Sequence, residues 1–287
     1  IPIPTASTTA SHGPYDVIII GAGITGLTTG LLLQETGKKC LILEAHNIAF
    51  GTSSGTSAHL NTLLDTPYPD IISKFGKENA RLIAQAAAEA IAIIKNKINT
   101  YDILCDFEYK DGYLFAQNPR EEEELSSIAE SLEQVGIEAE YTSKIPVPIP
   151  FTNALRFSGQ AQFHPLKYIS ALAEQFLAGG GKIIEHLRVT DTGKKGDLLV
   201  VDAGGQQFTA QHVVYATHIP PGINLLHFRC APYRSYIVGV ELNDDSYPAA
   251  LCYDMEDPYH YFRTVLLEDR KILLLGGNDH KTGHAKN

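Results

Sequence analysis

The residues with the clearest capacity for chemistry are the glycines of the segment 21–26, which reads GAGITG. They form the pattern G-x-G-x-x-G directly after the apolar run 15–20, YDVIII. The first glycine permits a tight turn, the second lets the backbone approach a diphosphate, and the third allows close packing of helix on strand. Free N–H groups at the start of the next helix attract an anion. We therefore expect a dinucleotide to bind at this turn.

A carboxylate supports the same interpretation. Glu44 directly follows a second apolar run, 39–43 (KCLIL), and lies about 20 residues beyond Gly26, the usual spacing. A carboxylate at this point accepts hydrogen bonds from the ribose hydroxyls and repels a 2′-phosphate, which disfavours NADP. The alternative is a glycine turn that binds no nucleotide.

The stretch after Glu44 bears on which dinucleotide binds. Residues 50–62, FGTSSGTSAHLNT, are mostly Gly, Ser, Thr and Ala, with little helical or strand pattern. Such a loop can lie against a large cofactor, and its His59 could face the cofactor ring or supply a charge. A flexible surface loop is the alternative.

With these motifs, the chain resembles the FAD-dependent oxidoreductases of the D-amino-acid oxidase and glycine oxidase type, in which a small-residue loop follows the second strand and runs beside the flavin. It is most similar to bacterial members with an additional C-terminal Rieske iron-sulfur domain. The segments that carry this similarity are SAHL, DGYLFA, AQFHP, ATHIPPG, APYRSY, DPYHYFR and GGNDHKTG. The C-x-H and C-x-x-H pairs of a Rieske domain do not occur in these 287 residues.

The resemblance implies FAD as a non-covalent cofactor. It places the backbone near Val189 on the adenine side and Thr217 beside the cofactor, while His218 departs from the family's usual Ala-Thr-Gly. The motif and the resemblance together predict these cofactor-binding residues: Gly21, Ala22, Gly23, Ile24, Thr25, Gly26, Glu44, Ala45, Thr52, Ser53, Ser57, Ala58, His59, Leu60, Val189, Ala216, Thr217, Gly276 and Gly277.

The resemblance also indicates where a substrate binds. In the resembling oxidases an Arg and Tyr hydroxyls commonly hold a substrate carboxylate, which fixes the reacting carbon. Strand alternation places Arg234 and Tyr236 on one face of a strand, and Tyr261 and Arg263 on one face of another. With His59, these are the candidate catalytic residues. The alternative is that such side chains only cover a sheet surface.

The fold class predicted is α/β with α+β character: a Rossmann-like FAD/NAD(P)-binding domain and a substrate domain with a mixed or antiparallel sheet. We assign 11–66 and 158–222 to the first domain and 67–157 and 223–287 to the second. Within the second, we expect a hairpin around Lys110-Asp111-Gly112 and a proline-rich segment, 145–151, that lies outside the centre of a sheet.

Composition and charge limit the classes of partner that the chain is expected to bind. The formal net charge of −10 disfavours nucleic acid, and no apolar run approaches the roughly 20 residues of a membrane helix. The cysteines Cys40, Cys105, Cys230 and Cys252 are widely spaced, which predicts no metal site and a reduced, cytoplasmic protein.

The predicted function is that of an FAD-dependent oxidoreductase taking a hydride from a small amine, amino acid or hydroxy acid. The electrons could pass to oxygen or, in a longer protein, to an iron-sulfur domain or another one-electron acceptor. The resembling proteins continue beyond the strand that holds Gly276 and Gly277 to close over the flavin, so we expect a fragment with weakened or absent FAD binding. The alternatives are a non-catalytic dinucleotide-binding module and an NAD-linked dehydrogenase.

Overall fold

A computed structural model describes residues 1–7, 9–219, 231–267 and 269–282. The described helices are α1 (Ile24–Glu35), α2 (Thr52–Gly55), α3 (Tyr68–Phe75), α4 (Lys77–Thr100), α5 (Pro119–Val135) and α6 (Pro165–Ala178). The described strands are β1 (Tyr15–Ile20), β2 (Cys40–Leu43), β3 (His59–Leu60), β4 (Glu108–Ala116), β5 (Ala139–Thr142), β6 (Asn153–Gln162), β7 (Lys182–Ile184), β8 (Val189–Lys195), β9 (Leu198–Ala203), β10 (Gln206–Tyr215), β11 (Tyr233–Val240), β12 (Leu251–Asp254), β13 (Tyr261–Leu267) and β14 (Arg270–Lys281).

The chain divides into two compact units. The first comprises Ile1–Thr56, Ile98–Cys105 and His164–Cys230, and the second comprises Ser57–Lys97, Asp106–Phe163 and Ala231–Asn287. Residues 57–66 and 158–163 fall in the second unit, whereas the sequence places them in the first domain. The reason is that β3 pairs with the end of β6 in the sheet of the second unit. The predicted boundary at 222 lies outside the described residues.

The first unit is built on a six-stranded sheet in the order β7-β2-β1-β10-β9-β8. Its first four strands are parallel, and β9 and β8 extend it as antiparallel strands. Apolar runs such as β2, whose residues are all buried, suit parallel strands covered on both faces. Helix α1 packs closely on the sheet because Gly30 has no side chain. A Cβ at Gly30 would lie 3.1 Å from Ile42 Cδ1. The βαβ unit predicted from the sequence is therefore present.

The second unit is built on an eight-stranded sheet in the order β11-β14-β13-β12-β4-β6-β3, with β5 also paired to β6. The sheet is mixed, since β12 runs parallel to β4 and the other pairs are antiparallel. Helices α3, α4 and α5 bury an apolar cluster against one face. The proline-rich segment 145–151 packs on the other face with Phe115 and Phe262, outside the strands as predicted.

The predicted hairpin around Lys110-Asp111-Gly112 is wrong, because these residues lie inside the single strand β4. The strand pairs with β6 along its length, and its register shifts between Lys110 and Gly112. Gly112 is required there because a Cβ would overlap the ring of Phe157. The turn-like composition thus marks an irregularity in a strand rather than its end.

Among the helices of the described ranges, none has both the length and the apolar character required to cross a membrane.

Candidate functional site

The glycine turn of the first unit joins β1 to α1. Gly21 has φ +110°, and a Cβ there would lie 2.6 Å from the carbonyl oxygen of Ala216. At Gly26 a Cβ would overlap the carbonyl oxygen of Gly21. A side chain at Gly26 would push the helix away from the strand, and one at Gly21 would clash with the segment at Ala216. The two glycines therefore fix the start of α1 directly above the end of β1.

The start of α1 lies beside the loop that carries α2. Gly23 is the N-cap residue, and a Cβ there would lie 2.8 Å from Ser53 Oγ. The Ile24 N–H donates to Ser53 Oγ at 3.2 Å. The short helix α2, with Thr52 and Ser53 at its start, therefore lies beside the positive end of α1, where a diphosphate would be stabilised.

Glu44 lies at the end of β2 and is 9% exposed. Its Oε2 accepts the Ala22 N–H at 2.8 Å, and its Oε1 accepts the His46 N–H at 2.8 Å. These bonds hold the carboxylate beside the glycine turn. A carboxylate oxygen has a second lone pair, so Glu44 keeps the capacity to accept ribose hydroxyls. Ala45 follows and is half-buried.

Two further segments with predicted cofactor residues border this turn. The Leu187 N–H donates to the Glu44 carbonyl at 2.8 Å, which brings the backbone leading into Val189 beside β2. The Ala216 N–H donates to the Ile20 carbonyl at 2.8 Å, next to the glycine turn. Thr217 follows and donates its hydroxyl to a backbone carbonyl two residues on. The two hydrogen bonds bring these segments next to Glu44 and the glycine turn, and contacts of Val189, Ala216 and Thr217 with a cofactor stay predictions.

The first unit fits the ADP half of a dinucleotide. Its glycine turn leaves no room for side chains, α1 begins directly after that turn, and the buried carboxylate of Glu44 lies beside it. The glycine turn, the start of α1 and Glu44 are therefore the parts of the first unit that would hold the cofactor.

In the second unit, Tyr253 forms a hydrogen-bonded chain with two side chains of a segment about 190 residues away in sequence. His59 Nδ1 lies 2.6 Å from the Tyr253 hydroxyl, and that hydroxyl donates to Asn61 Oδ1 at 2.8 Å. The Tyr253 hydroxyl proton is thus used, so His59 Nδ1 carries the proton of its own bond to Tyr253. The Tyr261 ring stands edge-on to His59 with centroids 5.3 Å apart. The tautomer of His59 is therefore set by its neighbours.

Arg263 lies on the same strand face as Tyr261 and is 4% exposed. It donates from Nη1 to the Ala58 carbonyl at 2.8 Å and from Nη2 to the Phe163 carbonyl at 3.4 Å. Its Nε is buried without a partner. Within the described ranges no carboxylate forms an ion pair with this guanidinium. A buried cation without a counter-ion is costly unless a ligand supplies an anion.

Burial and charge act together on the titration of this cluster. Burial lowers the pKa of Arg263 to about 10. Burial, with a smaller contribution from the Arg263 charge, lowers the pKa of His59 to about 3. At neutral pH the imidazole of His59 is uncharged, so the positive charge of the cluster belongs to the guanidinium.

The structure does not bring Arg234 and Tyr236 to this cluster. Across β14, Tyr261 pairs with Gly276, whereas Tyr236 pairs with Gly277. Since paired residues share a face and neighbours along a strand do not, Tyr236 lies on the face opposite to Tyr261. Tyr236 is 59% exposed on an edge strand and stacks on His280. A substrate role for Arg234 and Tyr236 stays a prediction without support from this geometry.

The remaining predicted cofactor residues belong to the second unit. Ser57 and Ala58 precede β3, Ala58 with φ +54°, and Leu60 pairs with Ala161. A Cβ at Gly276 would overlap the ring of Tyr261, and one at Gly277 would lie 2.6 Å from His260 Cδ2. The two glycines thus leave room for the rings of Tyr261 and His260, and a contact of the glycines with a cofactor stays a prediction.

Sequence reasoning did not select Tyr253 and Asn61. Asn61 lies two residues from His59, a predicted site residue, and has a hydrogen-bonding side chain. Tyr253 comes opposite Tyr261 only through the pairing of β12 with β13. It also missed a grouping of Asp254, Glu256 and His260, whose ligand atoms lie within 4.8 Å of one another. Asp254 there accepts the His260 N–H at 2.7 Å, so the carboxylate serves to close the turn.

Comparison with known proteins extends these observations. The family model described as FAD dependent oxidoreductase matches residues 16–287. The chain is similar to the putative Rieske 2Fe-2S iron-sulfur protein YhfW of Bacillus subtilis (strain 168), with 32% identity over 273 residues, 94% of this chain and 53% of that protein. It is also similar to gamma-glutamylputrescine oxidoreductase of Escherichia coli (strain K12), with 28% identity over 278 residues, 91% of this chain and 64% of that protein. The chain thus spans only about half to two thirds of the length of these relatives.

Solved structures agree on the fold. Glycine oxidase from Geobacillus kaustophilus superposes with a TM-score of 0.69 at 19% identity, covering 95% of this chain and 73% of that one. L-proline dehydrogenase from P. horikoshii superposes with a TM-score of 0.72 at 15% identity, covering 96% of this chain and 72% of that one. At these identities the likeness concerns the arrangement of helices and strands.

Proposed function

Because the chain belongs to the FAD dependent oxidoreductase family, we propose that it forms the FAD-binding and substrate-binding part of an enzyme that oxidises a small amine, amino acid or hydroxy acid. The observation that carries the proposal is the position of Glu44 against the glycine turn, held by the Ala22 N–H at 2.8 Å. A buried carboxylate at this point suits an unphosphorylated ribose.

FAD, when bound, supplies a ring that accepts a hydride equivalent from a substrate C–H bond. The protein's own contribution in the first unit is to hold the cofactor. The start of α1 stabilises the diphosphate, and Glu44 accepts hydrogen bonds from the ribose. This division of work requires no acid and base pair of matched strength in the protein.

The second unit contributes the groups that bind the substrate. Arg263 has a buried positive charge and an Nε–H without a partner, so we assign it to an anionic group such as a carboxylate. A low-exposure site excludes water and strengthens this attraction. Tyr261, seated over Gly276, limits the space beside the bound group. An anion fixed in this way determines which carbon is presented for oxidation.

The first experiment is a visible absorption spectrum of the purified chain after FAD addition and gel filtration, followed by anaerobic mixing with amines, amino acids and hydroxy acids. Loss of flavin absorbance with one of these compounds supports the proposal. Retained FAD that no compound reduces supports instead a non-catalytic dinucleotide-binding module, and binding of NADH in place of FAD supports a nicotinamide-linked dehydrogenase.

Arg263→Met tests the substrate assignment directly. We expect reduction of bound flavin by the active compound to lose most of its kcat/KM, while the flavin spectrum is retained. Arg270→Gln is the matched control, since Arg270 is an exposed side chain of the same sheet, near Glu241. Equal activity of the two variants would contradict the assignment.

We also propose that the electrons pass to a one-electron acceptor such as an iron-sulfur centre. The support is the similarity to YhfW, which is described as a Rieske protein and of which this chain covers 53%. Reoxidation of the reduced flavin by ferricenium that is much faster than by oxygen would support this acceptor class. Rapid hydrogen peroxide formation in air would favour an oxidase.

The compartment we propose is the cytoplasm. Cys40 and Cys252 are buried and form no disulfide, as in proteins of a reducing compartment. Recovery of the protein outside the cytoplasmic fraction of its source cells would contradict this location.

A further inference from the structure

His59 presents a buried hydrogen-bond acceptor that nothing in the described structure uses. Its Nδ1 is bound to the Tyr253 hydroxyl, and its Nε2 is buried without a partner. The Tyr253 hydroxyl donates its proton to Asn61 Oδ1. The ring of His59 therefore carries its proton on Nδ1, and Nε2 has a bare lone pair. An unsatisfied buried acceptor is unfavourable, and a ligand donor would relieve this cost.

Arg263 stands beside this acceptor and has the opposite requirement. Its guanidinium binds the carbonyl of Ala58, the residue that precedes His59, at 2.8 Å. Its Nε–H is also buried without a partner. The cluster thus offers a cationic donor, Arg263 Nε–H, and a neutral acceptor, His59 Nε2, neither of which has a hydrogen-bond partner. A ligand that satisfies both has an anionic group and, close to it, an N–H or O–H group.

We propose that His59 Nε2 accepts a hydrogen bond from the α-amino or α-hydroxyl group of a substrate whose carboxylate is bound by Arg263, so that His59 selects carboxylic acids that carry a donor on the α-carbon. This inference rests on the proposed function and deepens it, since it adds a specificity-determining residue to the substrate site. Tyr253 and Asn61 are positioning residues, because they act only by fixing the tautomer and orientation of the ring.

The groups around His59 keep it an acceptor throughout the neutral range. The titratable side chains that face it are Tyr253 and Tyr261, from β12 and β13, and Arg263, also from β13. Burial raises the pKa of Tyr253, so its hydroxyl is uncharged at neutral pH, and the guanidinium opposes protonation of the imidazole. A positive His59, which could only donate from Nε2, is therefore disfavoured by its surroundings.

The test compares three small acids that differ only at the α-carbon: acetate, glycolate and glycine. Binding to the chain in the presence of FAD is measured by calorimetry and by histidine-selective ¹H–¹⁵N NMR. We expect glycolate and glycine to bind about tenfold more tightly than acetate, the value of one good hydrogen bond, and to shift the His59 Nε2 resonance, whereas acetate does not.

The variants His59→Gln and His59→Leu separate recognition from structure. A glutamine can present an acceptor near the place of Nε2, and a leucine cannot. We expect His59→Leu to lose the preference for glycolate over acetate while its affinity for acetate stays within twofold, and His59→Gln to keep part of the preference. Tyr253→Phe should reduce the preference, whereas Tyr141→Phe, on the exposed strand β5, should leave it unchanged.

Three results would overturn the inference. The first is equal affinity of the unmodified chain for the three acids, or no binding of any of them. The second is an equal loss of affinity for all three in a folded His59→Leu protein. The third is a shift of the Nε2 resonance on addition of FAD alone that the acids do not change, which would assign the acceptor to the cofactor. Reduction of bound flavin by another substrate class would leave the proposed function intact in each case.

Discussion

Glu44 and Ala22 are joined by a hydrogen bond of 2.8 Å from the Ala22 N–H to the carboxylate, across 22 residues of sequence. The bond ties the end of β2 to the middle residue of the first G-x-G step. It means that the group expected to hold the ribose and the turn expected to hold the diphosphate are one connected structure. A substitution at Glu44 is therefore expected to alter the glycine turn, and a substitution in the turn to alter the position of the carboxylate.

Replacing Glu44 tests this connection. In Glu44→Gln one backbone N–H keeps an acceptor, but the charge that strengthens the bonds to the turn and to the ribose is lost. We expect FAD to bind roughly 10 to 100 times more weakly, as for loss of a charged hydrogen bond of about 1.5–3 kcal/mol. Fluorescence titration of FAD measures the dissociation constant. Glu89→Gln, on the exposed surface of α4, should match the unmodified protein.

The contact between Gly26 and Gly21 gives a second prediction. A Cβ in Gly26→Ala would overlap the Gly21 carbonyl, so α1 must shift from β1. We expect a loss of more than about 2 kcal/mol in the free energy of unfolding and no measurable FAD binding. Gly193→Ala is the control, since a Cβ at Gly193 meets nothing within 4 Å. Urea denaturation of both variants decides, and equal midpoints would contradict the role given to Gly26.

The stability of the second unit should depend on pH through His59. The folded pKa is about 3, below the ordinary value of 6.5, so the unfolded chain binds a proton that the folded chain does not. This contribution to stability is complete above pH 6.5 and is lost progressively as the pH falls from 6.5 towards 3. We expect the unmodified protein to lose about 2 kcal/mol more than His59→Gln between pH 7 and pH 5. Chemical denaturation at the two pH values measures the difference, and parallel losses in the two proteins would refute it.

The seat of Tyr261 on Gly276 gives a fourth prediction. In Gly276→Ala the new Cβ would overlap the Tyr261 ring, which must then move from its place beside His59. We expect a loss of about 1–3 kcal/mol in stability and weaker binding of the substrate acid. At Gly239, on the neighbouring strand, a Cβ would lie 3.2 Å from Ile272 Cγ2, a contact that a side chain can relieve. Gly239→Ala should therefore bind the acid normally, and a similar defect in both variants would argue against a specific role of the Tyr261 ring.

Local pattern was enough to predict the first unit. The run 15–20, the glycine turn and Glu44 follow one another within 30 residues, and each has a conformational reason that does not depend on distant chain. The match to the FAD dependent oxidoreductase family over residues 16–287 confirms the resemblance and, with it, FAD as the cofactor. The sheet of the second unit was predicted to be mixed or antiparallel, and the parallel pair of β12 and β4 makes it mixed.

Pairing between distant strands decided the rest. The sequence, read with the family resemblance, identified His59, Tyr261 and Arg263 as candidates, and alternation along a single strand placed Tyr261 and Arg263 on one face. It could not show that Tyr253, 194 residues from His59, binds the imidazole, since that depends on β12 lying between β4 and β13. Nor could it show that Tyr236 and Tyr261 lie on opposite faces. Alternation of side chains along one strand is a local property and is visible in the sequence. The face of the assembled sheet on which each side chain lies depends on the register between strands, which only the folded structure determines.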